Sequence, residues 1–220
     1  IVQQVHVAVR RFGRSPVERF ELAEVLSERL GEQHHPELGG ERNGRAIGER
    51  VAADLGADLV GAALERELGF EGRFVAGYIG THGMAHALET LLQAAQRLQQ
   101  QPGGDAFRLL FLGDGARTAD LQAQASAMGL RNVVFVDTVP KDEVARYWSL
   151  LDASIIHLRR TELFTTVIPS KLFECMGMGI PVLHGVAGES AEIVQREQVG
   201  RVFEPENVDQ LVDGLHALRD

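Results

Sequence analysis

Residues 165–181 read TTVIPSKLFECMGMGIP, and this stretch predicts a loop, a short helix and a turn. Pro169 suits the first helical position because it has no N–H to lose there. Gly177 and Gly179 end the helix. The apolar run VLHGV (182–186) follows and predicts a buried strand. The stretch therefore predicts one helix-to-strand unit of an α/β fold.

The predicted helix has an apolar side at Leu172, Phe173 and Met176, while Lys171 and Glu174 share another side. A helix N-terminus behind a polar loop favours anions, because its N–H groups and dipole point at the ligand. The ammonium could then bind a phosphate and the carboxylate could bind hydroxyls. The alternative is an exposed helical ion pair, worth only about 0.3 kcal/mol. The scarcity of lysine, two residues against twenty arginines, favours the binding site.

From Arg73 onward, short apolar strands alternate with amphipathic helices. This alternation predicts an α/β fold, a Rossmann-like parallel sheet with helices on both faces. Residues 1–72 have too few apolar residues in register for a large core, and they predict a remnant, an extension or a linker. The adjacent His34 and His35 are interpreted as exposed loop residues, because no further ligand stands at metal-binding spacing.

Four loops fall at predicted strand C-termini, where ligands of such sheets bind. They are GTHG (80–83), GDG (113–115), VPK (139–141) and the loop before the 169–178 helix. We expect them to line one crevice. Neither glycine loop is a G-x-G-x-x-G or Walker motif, so tight turns remain an equal interpretation. In the same way, Asp114 is open to interpretation as a helix cap, and the histidines near strand ends (His82, His86, His157 and His184) as structural residues.

Composition excludes several classes of protein. A formal charge of −9 argues against a nucleic-acid partner. The chain has a single cysteine, Cys175, so no internal disulfide can form and a reducing compartment is predicted. Its side chain is interpreted as a small buried apolar group. No apolar run reaches the length of about 18 residues that spans a membrane. No serine lies in a G-x-S-x-G context, so a serine hydrolase is not favoured.

Four segments, in order, resemble the C-terminal, donor-binding domain of group-1 glycosyltransferases. These are the retaining enzymes of glycosyltransferase family 4, which have the two-domain GT-B fold. The resemblance covers residues 73–220 and is closest to members that build O-antigen, capsule or exopolysaccharide. The segments are FVAGYIGTHGMAHALETLLQAA, FRLLFLGDGARTADLQAQA, NVVFVDTVPKDEVARYWSLLDASI and IPSKLFECMGMGIPVLHGVAGESAEIV.

The resemblance implies a retaining transferase that moves a sugar from a nucleotide-sugar, with a UDP-sugar expected, to a glycan or lipid-linked acceptor in cell-surface polysaccharide synthesis. It implies no cofactor and no metal. The expected location is the cytoplasm or the inner face of the membrane, with peripheral membrane contact open through an acceptor domain. Two alternatives remain open: a GT-B-fold sugar-nucleotide epimerase and a non-catalytic nucleotide-sugar-binding module.

The resemblance also implies residue roles. Glu174 matches the family glutamate that hydrogen-bonds the ribose hydroxyls, and Lys171 would stabilise the leaving diphosphate, so both are catalytic candidates. The nucleotide base would lie against the Val139–Pro140 turn. The donor-binding candidates are Gly80, Thr81, His82, Gly113, Asp114, Gly115, Arg117, Val139, Pro140, Thr166, Ile168, Pro169 and Ser170.

The sequence departs from the family pattern in three ways. Thr166 stands where many members carry the first glutamate of E-x7-E. Thr81 and His86 stand near the places of a family arginine and lysine, so phosphate binding would depend on Lys171, with Arg117 as a second candidate. Residues 56–70 resemble the interdomain linker and leave about 55 residues for an acceptor domain that needs more. We therefore expect a partial chain that holds mainly the donor-binding half.

Overall fold

The computed structural model describes residues 61–141 and 143–220. The predicted acceptor-domain remnant and the paired histidines at 34 and 35 lie outside these residues. Residues 61–67 are helical, and Leu64 and Phe70 are buried. The segment just before Arg73, where the predicted domain begins, therefore packs against the core that follows.

Within the described residues, six parallel strands form one sheet in the order β3-β2-β1-β4-β5-β6. This order confirms the predicted Rossmann-like parallel sheet. The chain moves outward from β1 to β3, then returns to place β4 on the other side of β1. The strands are β1 (Phe74–Ile79), β2 (Phe107–Leu112), β3 (Val133–Val136), β4 (Ala153–His157), β5 (Val182–Gly185) and β6 (Gly200–Val202).

The helices connect these strands. They are α1 (Glu89–Gln100), α2 (Thr118–Ala127), α3 (Val144–Trp148), α4 (Ser170–Gly177), α5 (Glu189–Glu197) and α6 (Val208–Arg219). Short 3-10 turns precede α1 and α4, at Met84–His86 and Glu162–Thr166. The α-helix after β1 therefore begins only at Glu89, although apolar residues at helical spacing start already at Met84. Ala87 has a φ of 44°, which separates the 3-10 turn from α1.

Apolar side chains cover both faces of the sheet. In β2, Leu109 and Phe111 join the cluster under α1, α2 and α6, while Leu110 and Leu112 join the cluster under α3, α4 and α5. This alternation follows from the two-residue period of a strand. It explains why β2 is apolar almost throughout, as expected of a strand buried on both sides.

Two details of α4 differ from the prediction. Pro169 precedes the helix as its N-cap, in an extended conformation, and Ser170 is the first helical residue. Phe173 is 54% exposed, and the buried side consists of Leu172 and Cys175. Leu172 and Cys175 are three residues apart and so lie on the same side of the helix. Phe173 lies on a different side, away from the core.

The described part of the chain contains no helix that is both long and apolar enough to span a membrane. The point that matters for a ligand is the reversal of strand order between β1 and β4. Connections leave these strands in opposite directions, which opens a crevice beyond their carboxyl ends.

Candidate functional site

Two glycine turns form one side of the crevice, after β1 and β2. The amide of Gly80 donates to the carbonyl of Leu112 at 2.9 Å. A Cβ on Gly113 would overlap the carbonyl oxygen of Gly80, and a Cβ on Gly115 would lie 2.5 Å from the carbonyl oxygen of His82. Only glycine allows the two backbones to lie this close. The structure therefore brings the two predicted loops together.

Lys171 extends from the first turn of α4 onto Gly80. A Cβ at Gly80 would lie 2.8 Å from Cε of Lys171 and 3.6 Å from its Nζ. Among the ion pairs of residues 61–141 and 143–220, none includes Lys171. The interpretation of Lys171 and Glu174 as an exposed ion pair is therefore wrong. A half-buried ammonium without a counter-ion is suited to an anionic ligand.

Backbone N–H groups at the start of α4 are also available to an anionic ligand. The amide of Leu172 donates to the carbonyl of Pro169 at 3.0 Å, while no side chain caps the helix and the amides of Ser170 and Lys171 stay available. Ser170 is exposed, and Ile168 and Pro169 are half-buried. Unpaired N–H groups at a helix start attract anions, and here they belong to the same helical turn as Lys171.

Glu174 lies one turn further along α4 and is exposed. Within the described residues its carboxylate has no hydrogen bond or ion pair, so both oxygens are free to accept. Residues three apart lie on the same side of a helix. Glu174 and Lys171 therefore lie on one side of α4, and their binding of two parts of one ligand stays a prediction.

The loop after β4 forms the other side of the crevice. Arg159 donates from its backbone amide to Ala85 at 2.8 Å and pairs through Nη2 with Glu89 at 3.0 Å. A Cβ on Gly188 would overlap the carbonyl oxygen of Thr165. The loop is thus held between the turn after β1 and the start of α5. Thr166 is exposed at its end.

His157, at the end of β4, forms hydrogen bonds with the turn after β1 and with the segment before α6. Its Nδ1 lies 2.7 Å from the carbonyl oxygen of His86, and its Nε2 accepts from the amide of Glu206 at 2.9 Å. Its ring stacks on Phe203. Because Nε2 accepts a hydrogen bond, the ring is a neutral structural group, and burial also lowers the pKa of His157. This agrees with the structural interpretation from sequence.

The side chain of His82 has a different place from the one predicted. It is fully buried, and its Nδ1 lies 3.0 Å from the hydroxyl of Thr118. The ring therefore cannot contact a ligand in the crevice, because donor binding requires an accessible group. Thr81, by contrast, is exposed. The half-buried His86 has its pKa lowered by burial and by the charge of Lys171.

Asp114 and Arg117 contribute mainly to the turn after β2. Hydrogen bonds from the Gly115 amide and the Thr118 hydroxyl lower the pKa of Asp114. The N-cap of α2 is Arg117 and no side chain caps the helix, so the helix-cap interpretation of Asp114 is wrong. Arg117 lies 3.3 Å from Asp120 through Nε. Its charge is thus partly neutralised, which leaves Lys171 as the stronger anion ligand.

Val139 and Pro140 lie beyond the end of β3, at the same edge of the sheet. Val139 is half-buried, Pro140 is exposed, and the carbonyl of Pro140 accepts from the amide of Glu143 at 2.9 Å. No cluster of three or more His, Cys, Asp or Glu side chains that could hold a metal occurs in the described residues. The residue that sequence reasoning missed is Thr118, whose only signal was a hydroxyl at the start of the helix after GDG.

Comparison with known proteins identifies the family to which the chain belongs. The family model "Glycosyl transferases group 1" matches residues 73–220. A putative colanic acid biosynthesis glycosyl transferase, WcaI of Escherichia coli K12, is 30% identical over 148 residues, covering 63% of this chain and 33% of its own length. Sulfoquinovosyl transferase SQD2 of Arabidopsis thaliana is 26% identical over 144 residues, covering 64% of this chain and 26% of its own length.

Among solved structures, HepE of Anabaena in complex with UDP-glucose has a TM-score of 0.61 at 20% identity, over 73% of this chain and 43% of that one. The catalytic domain of a cholesterol-alpha-glucosyltransferase from Helicobacter pylori has a TM-score of 0.54 at 16% identity, over 66% of this chain and 86% of that one. Likeness at these identities shows the fold. The chain spans between a quarter and a third of the two curated relatives above.

Proposed function

The chain belongs to the group 1 glycosyltransferases, and on that premise we propose that it binds the nucleotide-sugar donor of a retaining sugar transfer, with a UDP-sugar as donor. The observation that carries the proposal is the ammonium of Lys171, which lies over Gly80 at the uncapped start of α4. The complex of HepE with UDP-glucose supports the choice of nucleotide.

In the proposed mechanism, Lys171 and the first amides of α4 bind the diphosphate. Negative charge accumulates on this group as the bond to the sugar breaks. A cation and N–H groups that are already in place stabilise that charge without reorganising. The close contact between the Gly80 and Gly113 backbones lets the phosphates approach the sheet edge.

Glu174 has the second role. Its free carboxylate oxygens are suited to accept hydrogen bonds from the two ribose hydroxyls, which would orient the nucleoside relative to the diphosphate. The base would then extend toward Val139 and Pro140, which follow β3 at the same edge. No metal enters this scheme, because the ammonium and the helix start supply the positive charge.

We propose a glycan or lipid-linked molecule as the acceptor, and cell-surface polysaccharide synthesis as the role. WcaI is named for colanic acid biosynthesis, and WaaB and WaaG, which share the fold, are described as lipopolysaccharide enzymes. The curated relatives are all named as transferases. Transfer is therefore favoured over the epimerase alternative.

Calorimetric titration with UDP, ADP and GDP tests donor binding directly. We expect UDP to bind, and the Lys171→Met variant to bind more weakly. A second assay incubates the protein with a UDP-sugar and a lipid-linked acceptor, and NMR then reports the anomeric configuration of the product. Absence of binding by every nucleotide at millimolar concentration would refute the proposal, while an inverted product would refute retention.

A further inference from the structure

Among the donor-binding candidates in the described residues, His82 is the one whose side chain is fully buried, yet it lies between the two glycine turns. Its backbone amide donates to the carbonyl of Asp114 at 3.0 Å, and its carbonyl accepts from the amide of Arg117 at 3.0 Å. Its ring contacts the hydroxyl of Thr118. A single residue of the first turn thus makes three contacts with the second.

The side-chain contact between the two turns has a defined direction. Nε2 of His82 has no hydrogen-bond partner among the described residues, so the ring proton is placed at Nδ1, which lies 3.0 Å from the hydroxyl oxygen of Thr118. Nδ1–H therefore donates to that oxygen. The ring is therefore the Nδ1–H tautomer, with a bare nitrogen at Nε2.

The surroundings of the ring keep it neutral. It meets the rings of Tyr78, Phe111 and Phe135 at centroid distances of 6.0, 6.3 and 6.4 Å. Nε2 is buried and has no hydrogen-bond partner among the described residues. A proton there would be a buried donor without an acceptor, which costs more than an unpaired acceptor.

We propose that His82 is a positioning residue which, as the neutral Nδ1–H tautomer, joins residues 80–83 and 113–118 into one rigid rim. The effect on ligand binding rests on the proposed function. The rim sets where the donor's diphosphate lies against Lys171, although His82 does not touch the donor. Loss of the Thr118 hydroxyl would leave only backbone hydrogen bonds between the two turns, loosen them and shift the phosphate from the ammonium.

The test uses Thr118→Val, which removes the hydroxyl at nearly constant volume, and Thr118→Ser, which keeps it. Three measurements are made on the full chain: imidazole ¹⁵N shifts of His82, hydrogen exchange of the His82 and Arg117 amides without ligand, and the Kd for UDP. We expect the Nδ1–H tautomer in the wild type. In Thr118→Val we expect exchange at both amides to be faster, and the UDP Kd to rise, each roughly five- to tenfold, the value of one hydrogen bond. Thr118→Ser should behave as the wild type.

The outcomes separate this inference from the proposed function. An Nε2–H or charged ring, or unchanged amide exchange in Thr118→Val, would overturn the positioning role whether or not UDP binds. If the wild type binds no nucleotide but amide exchange is faster in Thr118→Val, the donor-binding proposal fails. The conclusion that His82 joins the two turns is then kept. If Thr118→Val loosens both turns yet binds UDP as the wild type does, the rim does not position the diphosphate. His82→Asn provides a second variant, and circular dichroism checks that each variant is folded.

Discussion

The contact between Gly80 and Lys171 makes Gly80→Ala a direct test of the anion site. The added Cβ would lie 2.8 Å from Cε of Lys171, closer than such atoms approach in folded proteins. The end of a lysine side chain is flexible, so it can move aside at little cost. We therefore expect the fold to survive while the ammonium leaves its place over the turn.

The size of the effect follows from the interaction that is lost. A hydrogen bond from a charged group contributes about 1.5–3 kcal/mol. Lys171 is only half-buried, and solvent screening places the expected loss near the lower end of that range. This corresponds to a rise of about tenfold in the Kd for UDP. The φ of 154° at Gly80 adds backbone strain of about 1 kcal/mol to the free energy of folding.

Calorimetric titration of UDP into four proteins measures this effect: the wild type, Gly80→Ala, Lys171→Met and the double variant. Each single variant should raise the Kd about tenfold. The double variant should bind no more weakly than Lys171→Met, because both changes remove the same ammonium. Gly129→Ala is the matched control, since Gly129 also has a positive φ, of 63°, but a Cβ there would contact nothing within 4 Å.

Two results would refute this reasoning. One is a Gly80→Ala variant that binds UDP as tightly as the wild type. The other is a double variant whose loss is the product of the two single losses, about a hundredfold. Either would mean that Gly80 does not act through Lys171.

Three further predictions concern the nucleoside, the response to acid and the core. Glu174→Ala should weaken UDP binding roughly five- to a hundredfold and leave pyrophosphate binding unchanged; calorimetry with both ligands checks this, and equal losses would remove Glu174 from the ribose. Burial lowers the pKa of His184 from 6.5 to about 4. Between these pH values the unfolded chain takes up a proton that the folded one does not, so the free energy of unfolding should fall by about 3 kcal/mol as the pH drops. Urea unfolding at several pH values should show this fall, and a weaker one in His184→Gln; the same slope in both would contradict the assignment. Leu211→Ala, at a fully buried position under the sheet, should cost about 2–5 kcal/mol in urea unfolding while UDP binding is kept, and a cost below about 1 kcal/mol would show that this part of the core is loosely packed.

Much of the fold could be predicted because it depends on short-range pattern. The strands are runs such as FRLLFL (107–112), and a run that is apolar on both faces suits a strand covered by helices on both sides. The helices repeat their buried residues every three or four positions. The exceptions were local: Phe173 has an apolar side chain but lies on the solvent side of α4, and Ala87 adopts a left-handed conformation that no residue type signalled.

The candidate site could be predicted only as a list of loops. Parallel strands place their carboxyl ends at one edge, so the meeting of the 80–83 and 113–115 turns followed from topology. The direction of each side chain did not. His82 and Thr81 are neighbours in the same loop, yet one is buried against Thr118 and the other is exposed. Which of them faces a ligand depends on packing against the neighbouring turn.

The pattern of residues was thus sufficient to predict the α/β architecture and the edge of the sheet that carries the loops. It also predicted that Lys171 and Glu174 lie on the same side of a helix. Each of these features depends on the period of a strand or a helix. The tertiary structure alone placed the ammonium of Lys171 over Gly80 rather than beside Glu174, and the ring of His82 behind the turns rather than in the crevice. These contacts join residues far apart in the chain. Their geometry arises only when the strands after which the loops occur are packed side by side.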